Sequence, residues 1–341
     1  MTGTVINASV DANLRDWSEL KECEDWDTLV IGNGASINVW PYFDYKSLYE
    51  AAERTFDQPT RELFSQLGTQ NFEEVLAGLS LTKRLTNAAG ESANWTENIY
   101  SQVRDGLLRS VREAHIPWID LAAGAIDSIG RHISSYSHVF SLNYDLLLYW
   151  SVQSKEARDK VRDFMWSDCT FSRTDVAVAP SKTKLHFVHG ALHLWQDTVT
   201  GICGKWKANS NLLEDILKSY RVDTPIQPLF VSEGSSQDKL RSIRRSDYLS
   251  FSYDRLVSDN SPTVILGTQL SDSDQHIVNA LKAGPSRTIA IAIYPHAGIN
   301  SPDEIMSQKL KFKKKLNGHR LLFVNSKTHP LGSTDLRSRK L

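Results

Sequence analysis

Seven short apolar runs, each closed by turn-forming residues, limit what this chain can fold into more than any other feature. They cover residues 28–31, 138–142, 185–188, 229–231, 263–266, 289–293 and 321–324. Runs such as Leu29-Val30-Ile31 or Val264-Ile265-Leu266 do not alternate with polar residues, so neither face of the strand can be turned to water. That suits a parallel sheet covered by helices. Helical patterns lie between several of the runs, which points to an α/β fold.

The first two runs are separated by a long stretch without strand signals. Ile99, Val103, Leu107, Val111 and Ala114 recur at helical spacing, and Ile119, Ala122, Ile126, Ile129 and Ile133 do so next, with Pro117 near the start. An earlier helix is expected over residues 72–85, introduced by Thr69-Gln70-Asn71. These stripes read as core packing. The expected organisation is one domain over residues 1–341, with a sheet core at about 27–46 and 136–325 and a helical insertion at 47–135. Residues 302–316 read as a helix with Asp303 and Glu304 in its first turn and Lys313, Lys314 and Lys315 in its last. That charge order complements the helix dipole and makes the basic run no nucleic-acid signal. Residues 239–245, with Arg241, Arg244 and Arg245, could touch phosphates and read equally as a solvated basic face, with Tyr248, Phe251 and Leu256 as the packing side. Residues 326–341 read as a polar, mobile tail.

The 341 residues are 40% hydrophobic and 23% charged, with a net charge of -1, which favours neither nucleic acid nor membrane as a partner. Three cysteines (Cys23, Cys169 and Cys203) form no C-x-x-C pair, so no zinc module or disulfide framework is expected. Residues 1–11 carry no signal-peptide pattern, and no run approaches the roughly 20 apolar residues of a membrane helix. A reducing cytoplasm is the expected setting.

Four motifs each close one of the expected strands, where ligands bind in open α/β sheets. Gly32-Asn33-Gly34-Ala35-Ser36 follows the first run. Its glycines let backbone approach a diphosphate, and its N–H groups, or those of a following helix, can receive phosphate oxygens. The same pattern serves in a ligand-free strand-to-helix turn. Ser141-Leu142-Asn143-Tyr144-Asp145 could present an amide and a carboxylate to a cleft, or cap a helix. Val188-His189-Gly190 offers an acid–base histidine at a strand end, or a structural one. His186, within the strand, and His193, on the next element, rank below it. In Gly267-Thr268-Gln269-Leu270-Ser271-Asp272-Ser273-Asp274, backbone amides and hydroxyls can line a nucleoside pocket, or Ser271 or Asp272 can be a plain cap.

In their order, GNGAS, SLNYD, VHG and LGTQLSDSD resemble the motifs of the sirtuin superfamily, and in style those of its bacterial sirtuin-like, zinc-less, NAD-hydrolysing members linked to phage defence. The pattern spans Ile31 to Asp274. The resemblance implies a Rossmann-like sheet with helices on both faces and NAD+ as substrate. Gly32, Asn33, Gly34, Ala35 and Ser36 would surround the diphosphate, and Gly267 and Thr268 would border the adenosine half. Asn143 would contact the nicotinamide ribose or position water, with Asp145 supporting that loop. His189 would act as the acid–base or ribose-orienting residue.

The departures from deacylating sirtuins are as informative. Paired C-x-x-C elements are absent, so no metal is expected. Ile37-Asn38-Val39-Trp40-Pro41-Tyr42-Phe43 stands where a deacylase has Pro-Asp-Phe-Arg. Val231-Ser232-Glu233-Gly234 is a distorted Phe-Gly-Glu at best. The expectation is therefore an NAD+ glycohydrolase releasing nicotinamide and ADP-ribose, with capture by adenine to give a cyclic product left open. The alternatives are a non-catalytic NAD or ADP-ribose sensor and an ADP-ribosyltransferase. Such a hydrolase has to be restrained, which implies a homo-oligomer or a complex with an activating partner.

Overall fold

The computed structural model describes residues 11–166, 168–206, 225–231, 235–295 and 301–338, with the side chains of 45, 108 and 112 excepted. The expectations for residues 1–10 and for Ser232-Glu233-Gly234 lie outside these. Seven parallel strands form the main sheet: β1 (Thr28–Ile31), β2 (His138–Ser141), β3 (Val161–Arg162), β4 (Thr183–Phe187), β8 (Thr263–Leu266), β9 (Thr288–Ile293) and β10 (Arg320–Asn325). The order is β10-β9-β8-β1-β2-β4-β3. Helices surround the sheet, a Rossmann-like α/β arrangement. β1 and β8 are buried at every position, whereas edge strand β10 is half-exposed over much of its length, as its place in the sheet requires.

Strand order sets the position of any ligand. From β1 the chain moves to β2, out to β3 at the edge and back to β4 between them, then returns to the other side of β1 and continues through β8, β9 and β10. The reversal at β1 and β8 opens a crevice at their carboxyl ends. Ile31 pairs with both Ser141 and Leu266, and Ser141 pairs with Phe187. The four strands bearing the motifs are therefore adjacent and end at one level.

The run at 229–231 departs from expectation. It lies in a separate antiparallel sheet, β6-β5-β7, built from β5 (Gly190–Asp197), β6 (Cys203–Lys205) and β7 (Ile226–Phe230). An apolar run signals burial and leaves the pairing partner open. Pro228 is accommodated because β7 is an edge strand. The chain enters this sheet directly after His189, turning at Gly190 with φ +76°.

Five helices occupy the insertion: α3 (Tyr45–Glu53), α4 (Gln58–Leu67), α5 (Phe72–Ala88), α6 (Asn94–Glu113) and α7 (Ala125–Ile133). Asp57 caps α4 and Gly68 ends it in the left-handed conformation, while Asn71 caps α5. Phe64 packs against Phe56 and Phe72 at 5.6 and 5.4 Å between ring centroids. The stripe expected from Ile119 is helical only from Ala125. Gly124 sits at φ +74°, and Ile119 is 84% exposed on a 3-10 turn. The C-terminal stretch also differs from expectation. Residues 326–338 form three 3-10 turns with His329, Leu331, Leu336 and Ser338 buried. Asn38 Nδ2 donates to the Ser333 carbonyl, and the Ser338 N–H to that of Val39. No helix among the described residues is long and apolar enough to cross a membrane.

Candidate functional site

The Gly-x-Gly turn after β1 lies directly on the turn after β8. Gly34 N–H donates to the Gly267 carbonyl at 2.7 Å, and Gly32 N–H to that of Leu266 at 2.9 Å. A Cβ on Gly34 would fall 2.9 Å from Gly267 Cα, and one on Gly32 would fall 2.6 Å from Thr268 Cβ. The glycines thus have a packing reason as well as any ligand reason. Gly267 is the most constrained, with φ +75° and a Cβ position 2.4 Å from Ala35 N. Gly267→Ala is expected to cost about 2–4 kcal/mol in urea unfolding, from the left-handed backbone and overpacking together. A loss under about 0.5 kcal/mol would mean that the turn relaxes freely.

Two cavities meet at this crossing. One, of about 470 Å³, is lined by residues from all four motifs, including Asn33, Gly34, Asn143, Asp145, His189 and Thr268. The other, of about 440 Å³, lies toward β9 and the C-terminal turns and is lined by Ala35, Asn38, Ala292, Tyr294 and Arg337. Gly34, Ile37, Asp44 and Gly267 border both.

Inside the first cavity a chain of hydrogen bonds fixes the orientation of Asn143. Its Nδ2 donates to Ser36 Oγ at 2.9 Å, and Ser36 Oγ donates to Asp145 Oδ2 at 2.5 Å. The other carboxylate oxygen accepts the Leu147 N–H at 2.8 Å, at the start of α8 (Leu147–Val152). Asp145 is thus fully engaged and acts as a support. What remains is Asn143 Oδ1, buried without a hydrogen-bond partner. Such an acceptor is costly unless a donor reaches it. Ser36 stands on α2 (Asn33–Val39), with Ala35 beside it, and the Asn33 amide holds the Phe43 carbonyl. His115, from the insertion, accepts the Leu146 N–H at Nε2 and so donates from Nδ1 to the Ile116 carbonyl. Burial lowers its pKa, against the opposing pull of Asp145.

His189 also lines this cavity, but its Nε2 lies 2.8 Å from His276 Nε2. The tautomers follow from the neighbours. Ser236 Oγ accepts the His276 N–H, so its hydroxyl hydrogen is free for His276 Nδ1. His276 then donates from Nε2 to His189, whose Nδ1 is left for the Leu142 carbonyl. Burial, then Lys239 and His276, hold the His189 pKa well below the usual histidine value, and burial with Lys239 brings His276 to about 4. His186 and His193 are core groups with both ring nitrogens unpartnered. His186 stacks on Phe140 at 4.7 Å, and His193 lies against Tyr149 at 4.3 Å.

Behind the histidines lies a buried ionic triad. Lys239 Nζ, on α9 (Ser236–Arg244), is 3.0 Å from Glu73 Oε2 on α5 and 3.1 Å from Asp274 Oδ1. Lys239 is 1% exposed, not part of a solvated face. Arg241, Arg244 and Arg245 are the solvent-facing arginines of that run, the first two paired with Asp238 and Asp254. His189, Asp274 and His276 bring possible metal-ligand atoms within 4.8 Å of one another. The Lys239 ammonium already answers Asp274, and a divalent ion would be repelled by it. Glu73, Lys239, His276 and Arg337 escaped sequence reasoning, because their partners are remote in the chain. Asp274 stood within a quoted motif, where it read as part of a turn.

The family model described as Domain of unknown function (DUF4917) matches residues 29–329. No curated protein matches. A solved structure described as "Structural Basis for the Mechanism and Regulation of Sir2 Enzymes" is similar over 94% of this chain and 94% of its own, at 10% identity and a TM-score of 0.37. At that level the likeness bears on neither ligand nor activity.

Proposed function

We propose that this chain, which belongs to the family described as Domain of unknown function (DUF4917), binds NAD+ across its two cavities and hydrolyses the nicotinamide–ribose bond. The observation that carries this reading is Asn143 Oδ1. It is a buried acceptor of fixed orientation and without a partner, beside a cavity built from four strand-end loops. A ribose hydroxyl or a water is the donor that such an atom lacks. NAD+ is two nucleosides joined by a diphosphate. Two cavities that meet at a crossing of bare glycine backbone fit that division.

In the proposed reaction the C–N bond to the cationic nicotinamide breaks, its electron pair leaves with nicotinamide, and no proton is needed for departure. Water bonds to the ribose carbon and loses one proton, giving ADP-ribose. Asn143 holds the ribose or the water through the oxocarbenium-like transition state, and Ser36 and Asp145 hold Asn143. Burial keeps His189 neutral at physiological pH, the form able to accept that proton. It must first give up its bond from His276.

The test is nicotinamide release by the purified protein. Asn143→Ala is expected to lower turnover by about 10²–10³-fold and His189→Ala by a smaller factor. Unchanged turnover in both variants would place the chemistry elsewhere. The engagement of His189 Nε2 favours a second reading, a nucleotide sensor, in which NAD+ binds and no nicotinamide appears. An ADP-ribosyltransferase would instead label protein. We extend the hydrolase reading to an effector of defence against phage, held inactive until self-association or a partner releases it. A specific rate that rises with protein concentration would support self-association.

A further inference from the structure

The second cavity contains a cation that the hydrolase reading does not use. Arg337 lies on the C-terminal turns, which are anchored by the Asn38–Ser333 bond and by Ser338, whose Oγ donates to the Asp120 carbonyl at 2.7 Å. This anchoring brings its side chain to a wall shared with Gly34, Gly267, Ala292 and Tyr294. Arg337 Nε is buried without a hydrogen-bond partner, and no carboxylate among the described residues pairs with the guanidinium. Arg287 Nε is likewise without a partner, but its guanidinium is neutralised by Asp259 Oδ2 at 3.1 Å and donates to the Leu281 carbonyl at 3.0 Å, which Arg337 has no counterpart for. Among the described residues the one acid lining the second cavity, Asp44, is committed at Oδ1 to the Ser47 N–H. A guanidinium fork beside a cavity, short of acceptors, calls for an anion with several oxygens, and phosphate matches it in geometry and charge.

We propose that Arg337 is a phosphate-binding residue and that the second cavity takes a phosphorylated nucleoside, so that the C-terminal turns form part of the ligand site. The phosphate is either the bridging diphosphate or one carried on the ribose. The assignment of the nucleoside rests on the reading of the paired cavities as a dinucleotide site; the assignment of the phosphate rests on Arg337 alone.

Calorimetry with the full chain and ADP, NAD+, NADP+ and adenosine tests this without any turnover, so failure of the cleavage reading leaves it untouched. Arg337→Ala is expected to weaken ADP and NAD+ binding by about 10–100-fold and to leave adenosine affinity unchanged. Arg337→Lys should recover part of the loss, because the charge returns without the fork. A loss confined to NADP+ would support the proposal with the phosphate on the ribose. Equal binding of all phosphorylated ligands by wild type and Arg337→Ala would overturn it, as would a wild type that prefers neither ADP over adenosine nor NADP+ over NAD+. Parallel loss of adenosine in Arg337→Ala would also overturn it, showing a packing role.

Discussion

Lys239→Met is expected to lower the free energy of unfolding by about 3–5 kcal/mol, the cost of breaking a buried ion pair by removing one partner. The ammonium is the group that answers both Glu73 and Asp274, and Ser273 Oγ donates to the same Glu73 oxygen. Burial by itself would push the Lys239 pKa down, but the two carboxylates outweigh it and raise the value. Burial likewise opposes ionisation of Asp274, yet Lys239 and His189 hold its carboxyl below the ordinary range. Stability from Asp274 is therefore present above the unfolded carboxylate pKa and lost as pH falls through the lower folded value. In Lys239→Met the unpaired Asp274 regains neutrality by binding a proton, so the variant's deficit should shrink in mild acid. Urea unfolding at pH 7 and pH 5 checks both points. A deficit below about 1 kcal/mol at pH 7 would mean that water reaches the triad. Because the triad joins α5 to α9 and to the turn after β8, the same variant should loosen the insertion at the rim of the first cavity.

Acid should unfold this protein at a pH where carboxylates alone would not. Burial and the neighbouring His132 bring His329 down to about 3, and burial with Lys239 brings His276 to about 4, against an ordinary value of 6.5. His115, His186, His189 and His193 are shifted the same way, with burial the largest cause in each. A histidine whose folded pKa is depressed contributes stability in full above the unfolded value, and loses it as pH falls toward the folded value. For His276 alone the loss between pH 6.5 and 4 is about 3 kcal/mol, a large share of a typical domain's stability. The expected result is a steep decline in urea midpoint from pH 6.5 downward, with acid unfolding complete by about pH 4. His329→Gln, which cannot titrate, should shift that limb to lower pH, even if it costs stability at pH 7 through the bond to Tyr136. A midpoint that stays level between pH 7 and 4.5 would refute the account.

The legible parts of the molecule were those whose signal is local. Leu29-Val30-Ile31 reads as a strand buried on both faces because its apolar residues are consecutive, and Gly32 marks its end because the backbone must turn there. The same reasoning located Asn143, His189 and Gly267, one at each of three further strand ends. The run at 229–231 was recognised as a strand and placed in the wrong sheet, since burial does not name a pairing partner. Lys239 read as one of several surface cations because helical position says nothing of which neighbour covers it. His186, His189 and His193 differ in role through their surroundings: two are packed among aromatic rings, and the third, in the turn after β4, is bonded to His276 on the helix Gln275–Lys282. The C-terminal turns read as a polar tail, although their few apolar residues, Leu331 and Leu336, are what hold them down.

By itself the sequence determined the α/β class, the strand ends, and the residue types standing at each of those ends, because strand periodicity, turn chemistry and helix caps act over a few residues. Only the tertiary structure decided that β8, β1, β2 and β4 are neighbours, so that four turns line one cavity. It also decided that Asn143 keeps an acceptor unpaired, that Lys239 bridges two buried acids, and that Arg337 reaches a cavity. These outcomes depend on contacts between segments far apart in the chain, whose geometry is set by the packing of the whole sheet and its helices.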